Sequence, residues 1–179
     1  ILVSDTPDED GAYIIQWGGK VNLLGDDGVL DSLTGWDIAG TVELDSNIKY
    51  VGTKSAKFTP AGALCRMQKN YYNTLAEKYY IAIANVYIQS YSEGVVRLQI
   101  SDTSSLSGAI RTDANTALLN QWQPLLVRFR KTNFRYWIGS TSLATTTAVY
   151  YVDGLSVYEV SENEYNSFTD EQLISKYNY

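Results

Sequence analysis

The 179 residues are 45% hydrophobic and 19% charged, carry a net charge of −6, and include fifteen Tyr, one Cys and no His. That is enough chain for one domain with a full core, and no run of about 18 apolar residues is present to span a membrane. The negative charge argues against nucleic acid or an anionic membrane as partner, the missing His removes the commonest general base and zinc ligand, and Cys65 alone makes no intrachain disulfide.

Charge is uneven along the chain. Residues 1–31 hold seven acids and one base, residues 159–179 five acids and one base, and the stretch between them twelve bases and eight acids. The excess of Tyr over four Phe favours half-exposed strands and binding surfaces over a deep helical core.

Residues 1–20 read as a leader segment or first edge strand, bounded by the turn Thr6-Pro7-Asp8 and by Gly18-Gly19. The sequence opens without Met and reads as a piece of a longer protein. From Val21 it breaks into short alternating runs. Strands are predicted near 21–24, 36–45, 48–59, 63–69, 79–91, 94–101, 108–112, 123–131, 134–139 and 147–160. Turn signals such as Asp26-Asp27-Gly28, Pro60-Ala61-Gly62 and Gly139-Ser140 separate them. Many short strands with frequent turns predict an all-β domain, a two-sheet sandwich over residues 21–160.

Residues 79–101 carry the most informative pattern. They read as two strands joined by Ser92-Glu93-Gly94, a hairpin whose alternation divides two faces. One face holds Tyr80, Ala82, Ala84, Val86, Ile88, Val96, Leu98 and Ile100, a core set. The other holds Asn85, Tyr87, Gln89, Tyr91, Arg97 and Gln99. Planar amides, a phenol ring and a guanidinium stack on and hydrogen-bond to flat polar ligands such as sugars. The same face also fits an amphipathic hairpin whose tyrosines lie under a neighbouring loop. Tyr136 and Trp137, and the pair Tyr71-Tyr72, are candidates to extend it, although alternation turns one of Tyr136 and Trp137 inward. Trp36 and Trp122 are expected to be structural.

The C-terminal stretch 161–179 departs from this pattern. Ser161-x-x-Glu164 and Thr169-x-x-Gln172 are capping-box spacings, which predict a turn or short helix at 162–167 and a helix over about 170–177. Such a helix must pack on the sandwich or on something outside it.

Catalysis is not expected. Glycoside hydrolysis needs two positioned carboxylates. The only acids in 46–152 are Glu77, Glu93, Asp102 and Asp113, each at a predicted turn or loop. Ser nucleophiles have no base, and neither a nucleophile elbow nor a phosphate-binding loop occurs.

Three segments together resemble a family. Val21-Asn22-Leu23-Leu24 with Leu33-Thr34-Gly35-Trp36, then Gly52-Thr53-Lys54-Ser55-Ala56, then the closing run 148–160 with Asp153, are similar to the order found in jelly-roll carbohydrate-binding modules attached to glycanases. The resemblance implies a β-sandwich that binds glycan across one sheet without catalysis. It also implies a structural calcium, with ligands at Asp153 and at the carbonyls of about Gly52 and Lys54. The Phe-Glu pair usual in such modules is Val29-Leu30 here, so a carboxylate is missing unless Asp31 or Asp27 replaces it. The ending VYEVSENEY…KYNY resembles domains of phage tail and appendage proteins. That implies a virion location and, as partners, a cell-surface polysaccharide and other virion subunits, including copies of itself. Two alternatives stay open: a purely structural sandwich that mediates assembly, and the binding module of a secreted polysaccharide-degrading enzyme.

Overall fold

The computed structural model describes residues 21–61, 64–71, 77–102, 108–130, 133–140 and 148–179, and the backbone of 2–3 and 15–16. The expected leader holds one described feature, an antiparallel pairing of β1 (Leu2–Val3) with β2 (Ile15–Gln16). Ten further strands follow: β3 (Asp37–Ala39), β4 (Val42–Asp45), β5 (Ser55–Phe58), β6 (Cys65–Tyr71), β7 (Tyr79–Tyr91), β8 (Val96–Ser101), β9 (Ile110–Asp113), β10 (Trp122–Phe129), β11 (Phe134–Ser140) and β12 (Ala148–Val160). They form two five-stranded antiparallel sheets, ordered β10-β7-β12-β5-β4 and β3-β6-β11-β8-β9. We name them by their central strands, the β12 sheet and the β11 sheet. The expected two-sheet β-sandwich is the fold observed.

The strand predicted at 36–45 is two strands, β3 and β4, the one predicted at 48–59 forms only over β5, and two further expectations are corrected. Residues 21–24 are not a strand but a turn into a 3₁₀ helix at Gly25–Gly28. The Asn22 side chain does there what a strand's backbone would do. Its Oδ1 accepts from the N–H of Val157 at 2.9 Å, and its Nδ2 donates to the Leu155 carbonyl at 3.0 Å. The larger correction concerns the predicted hairpin. β7 belongs to the β12 sheet and β8 to the β11 sheet, so Ser92-Glu93-Gly94 carries the chain from one layer to the other. Two strands with apolar stripes can pair side by side or meet face to face across a core, and alternation is the same in both cases.

The inward set was legible, because it depends on alternation alone. Tyr80, Ala82, Ala84, Val86 and Ile88 of β7 face Val96, Leu98 and Ile100 of β8 in one core, with Phe58, Met67, Phe129, Phe134, Tyr136 and Ile138. Each large side chain fully buried here contributes on the order of 1.5–3 kcal/mol. Phe58 stacks on Tyr150 at 4.7 Å, and Phe129 packs between Tyr80 and Phe134. One extra residue in β12, between Asp153 and Ser156, makes a bulge opposite β7. Gly154 occupies it at φ +58, where a Cβ would come within 2.8 Å of Asn85 Nδ2.

Both capping boxes form. Ser161 Oγ accepts from Glu164 N–H at 3.2 Å while Glu164 Oε2 accepts from Ser161 N–H at 2.9 Å, opening α1 (Glu162–Ser167). Thr169 and Gln172 repeat the exchange at the start of α2 (Asp170–Tyr177). The pair lies on the outer face of the β12 sheet. Leu173 and Tyr177 bury against Ile81, Ile83, Leu126 and Tyr158, a second small core separate from the first. Arg128 of β10 locks the junction, donating to the carbonyls of Tyr165 and Phe168 and to Asp170 Oδ1.

Glu164 ties this element to pH. Burial alone would raise its carboxyl. The Lys176 ammonium, the Ser161 hydroxyl and N–H and the Tyr177 hydroxyl outweigh that and hold it well below its ordinary 4.5. As pH falls, the unfolded chain therefore takes up the proton first. The stabilisation is complete above about 4.5 and drains as pH drops below it toward the folded value. Thermal midpoints measured from pH 7 to pH 3 are expected to fall more steeply for the native chain than for Glu164→Gln. Parallel curves would refute the assignment.

Candidate ligand-binding faces

The sandwich has two outer faces, and the sequence-predicted ligand residues are divided between them. Arg97, Gln99 and Trp137 share the outer face of the β11 sheet. Asn85, Tyr87 and Gln89 lie on the opposite face of the molecule, outside the β12 sheet. Tyr136 is a correction. It points into the core with no exposure and donates its hydroxyl to the Ile83 carbonyl of the other sheet at 2.8 Å. Tyr71 is another, since its ring stacks on Phe134 at 5.0 Å; Tyr72 lies outside the described residues. Trp36 is structural as expected, edge-on to Tyr136 within the core.

The outer face of the β12 sheet has three zones. The first lies under α1 and α2. In the second, Asn85 is sealed by the chain end: its amide exchanges two hydrogen bonds of 2.9 Å with that of Asn178. Asn85 is therefore a docking point for the tail and not open to a ligand. Its substitution by Ala should lower stability by about 1–3 kcal/mol, measured by urea unfolding, and leave ligand binding intact. The third zone is a cross-strand row, Trp122–Tyr87–Tyr151–Lys57–Glu43. Tyr87 sits 5.5 Å from Trp122 and 5.9 Å from Tyr151, and Gln89 accepts from the Tyr151 hydroxyl. Trp122, expected to be structural, is half-exposed in this row and packs on Tyr50.

The outer face of the β11 sheet carries neither helix. Strand pairing places Asp37, Gln68, Trp137, Gln99 and Arg111 in one row across all five strands. A second row runs Ala39, Arg66, Gly139, Arg97, Asp113, and a third holds Asn70, Arg135 and Ser101. Adjacent strands sit about 4.8 Å apart, and rows on one face about 6.7 Å apart. Gly139 is required where β11 meets β6, since a Cβ would fall 2.4 Å from the Cys65 carbonyl. No side chain therefore separates Arg66 from Arg97 in that row.

Polar groups on this face hold one another in place. Gln68 Nε2 donates to Asp37 at 2.6 Å, with the Arg66 guanidinium at 3.4 Å from the same oxygen. Arg97 grips Asp113 through two bonds of 2.8 and 3.0 Å. Arg135 Nε donates to Asn70. Trp137 and Gln99 are only 6% and 7% exposed, so the centre of the face is packed and its rim is charged. Gln68, Arg66, Arg111 and Asp37 were not singled out in the sequence. The alternation of Cys65 and Met67 against Arg66 and Gln68 would have shown β6's share.

The calcium expectation does not fit the residues present. Asp153 is buried, and its oxygens accept the N–H groups of Tyr50, Val51 and Gly154 at 2.8, 2.9 and 2.7 Å. Burial pushes its carboxyl up from 3.8 against the pull of those donors. Asp31 likewise accepts from Thr53 N–H and hydroxyl and from Lys54 N–H, which lower its carboxyl. The loop holding Gly52 and Lys54 thus turns amide donors toward both carboxylates, where a cation needs converging oxygens. Among the described residues no group of three acidic, His or Cys side chains could hold a metal.

No protein-family profile matches the chain, and no curated protein does. Solved structures do. The family 11 carbohydrate-binding module of the cellulase Lic26A-Cel5E of Clostridium thermocellum superposes with a TM-score of 0.56 at 8% identity, over 80% of this chain and 96% of that one. A family 61 module in complex with β-1,4-galactotriose gives 0.54 at 13% identity, over 75% and 93%. The enzymatically active domain of tailspike protein 4 of bacteriophage CBA120 gives 0.58 at 9% identity, over 78% of this chain. The match spans only 21% of the tailspike chain. At these identities the likeness defines the fold: a jelly-roll β-sandwich of the carbohydrate-binding-module type.

Proposed function

We propose that this chain is a non-catalytic carbohydrate-binding domain that holds glycan on the outer face of its β11 sheet. The observation that carries this is the unbroken row Gln68–Trp137–Gln99 at the centre of a face left clear by both helices. Trp137 and Gln99 form the packed floor of this row, and Gln68 with the guanidinium groups around it reaches solvent and offers in-plane donors to sugar hydroxyls. The acids on the face support binding over hydrolysis. Asp37 and Asp113 stand on its two edge strands, about 19 Å apart by strand spacing. Glycoside hydrolysis needs carboxylates within roughly 5–9.5 Å of each other.

The test is affinity electrophoresis against a panel of neutral and acidic polysaccharides. Trp137→Ala is expected to weaken binding about 30-fold or more. Gln99→Ala, which removes less packing, should weaken it severalfold, and Tyr87→Ala should leave it within about twofold. Loss with Tyr87→Ala and not with the other two would move the site to the β12 sheet.

A phage tail or appendage is the parent protein we favour, with a cell-surface polysaccharide as the target. The tailspike likeness and the C-terminal resemblance support this. The aromatic row Trp122–Tyr87–Tyr151 favours a second reading, assembly with other virion subunits or copies of itself, because Trp122 and Tyr87, partly exposed and backed by the buried Tyr151, suit a subunit contact. A chain that binds no polysaccharide and sediments as a trimer or larger ring would establish that reading instead.

A further inference from the structure

The charge on the β11 face names a ligand class. Four of the chain's six Arg, at 66, 97, 111 and 135, project from it, against two acids, Asp37 and Asp113. In a chain of net charge −6 this is a local excess of positive charge. Its distribution is uneven. Arg66 shares Asp37 with Gln68, and Arg135 is engaged with Asn70. At the β8–β9 edge, Arg97 and Arg111 are diagonal neighbours on adjacent strands, about 7–8 Å apart at the backbone. They have one carboxylate between them, Asp113, and it is taken by Arg97. Arg111 is exposed and makes no hydrogen bond or ion pair with another described residue. Gln99, directly opposite Arg111 and beside Trp137, makes no side-chain hydrogen bond either.

The edge is thus one anion short. A guanidinium offers five donors in a planar fork suited to carboxylate, and Arg97 spends only Nε and Nη2 on Asp113. Resting on the reading of this face as the glycan site, we propose that its ligand is an acidic polysaccharide of the uronic-acid kind. A ring of that polymer lies along the β8–β9 edge beside the packed Trp137, and its carboxylate is held by Arg111 and the spare donors of Arg97, with Gln99 bonding a neighbouring hydroxyl. A sugar without the carboxylate would leave Arg111 with nothing to hold.

The experiment compares polygalacturonate with the same polymer after carboxyl reduction, by titration calorimetry on the intact chain. Arg111→Gln is the site variant. Arg130→Gln, on the other sheet and paired with Glu77, is the charge control. Polygalacturonate is expected to bind at least tenfold tighter than the reduced polymer. Arg111→Gln should remove most of that difference and Arg130→Gln should not. Equal binding of both polymers, or equal loss with both variants, would overturn the acidic ligand and leave the glycan reading intact. If neither these polymers nor any on the panel bind, the glycan reading fails as well.

Discussion

Asp153→Ala is expected to destabilise the domain by about 3–5 kcal/mol, one of the largest effects of any single polar substitution here. The reason is accounting of donors. One buried carboxylate is the acceptor for three backbone N–H groups, two of them from the loop at Tyr50 and Val51, about a hundred residues away in sequence. Alanine leaves all three without a partner in a site that excludes water. Asn, nearly the same shape, keeps one acceptor oxygen and should cost less, about 1–3 kcal/mol. Urea unfolding measures both. The same experiment separates this role from the cation role that the family resemblance implies. Neither chelator nor millimolar Ca²⁺ should move the native midpoint. A rise with Ca²⁺ that Asp153→Ala abolishes would return the residue to a metal site.

Leu173→Ala should cost about 3 kcal/mol, but locally. Leu173 has no exposure and is the centre of the small core between α2 and the outer side of the β12 sheet. Removing its isobutyl group loses burial and leaves a void. Because that core is separate from the one between the sheets, the loss should fall on docking of the helices. Amide exchange in α2 is expected to speed up about a hundredfold, with β7 and β11 little changed. Uniform acceleration across both sheets would show that helices and sandwich unfold as one unit. Detachment would also bare Ile81, Ile83, Leu126 and Tyr158, an apolar patch that invites association.

Much of this was legible in local sequence. The strands at 79–91, 94–101, 134–139 and 147–160 were read to within a residue or two, and both capping boxes marked their helices. Of the predicted ligand set, Arg97, Gln99 and Trp137 do share a face. Asn85 was misassigned because the group that seals it, Asn178, is 93 residues away and reaches it only through the path of the C-terminal helices. Tyr87 and Gln89 were set beside Arg97 and Gln99 by chain proximity, which the turn at Ser92-Glu93-Gly94 undoes by changing sheets.

The division follows from the range of the forces involved. Alternation of side chains along a strand and reciprocal bonding at a helix start are settled within a few residues. Local sequence therefore marked most inward-turned side chains, the strands from residue 79 onward and both helices, and it contains no His to act as a general base. Which outward residues become neighbours depends on hydrogen-bond pairing between strands far apart in the chain. That pairing is chosen by how the two apolar layers close on each other. Only the tertiary structure could decide that β11 lies between β6 and β8, bringing Gln68 and Gln99 to either side of Trp137. It also decided that the chain's own tail occupies part of the opposite face.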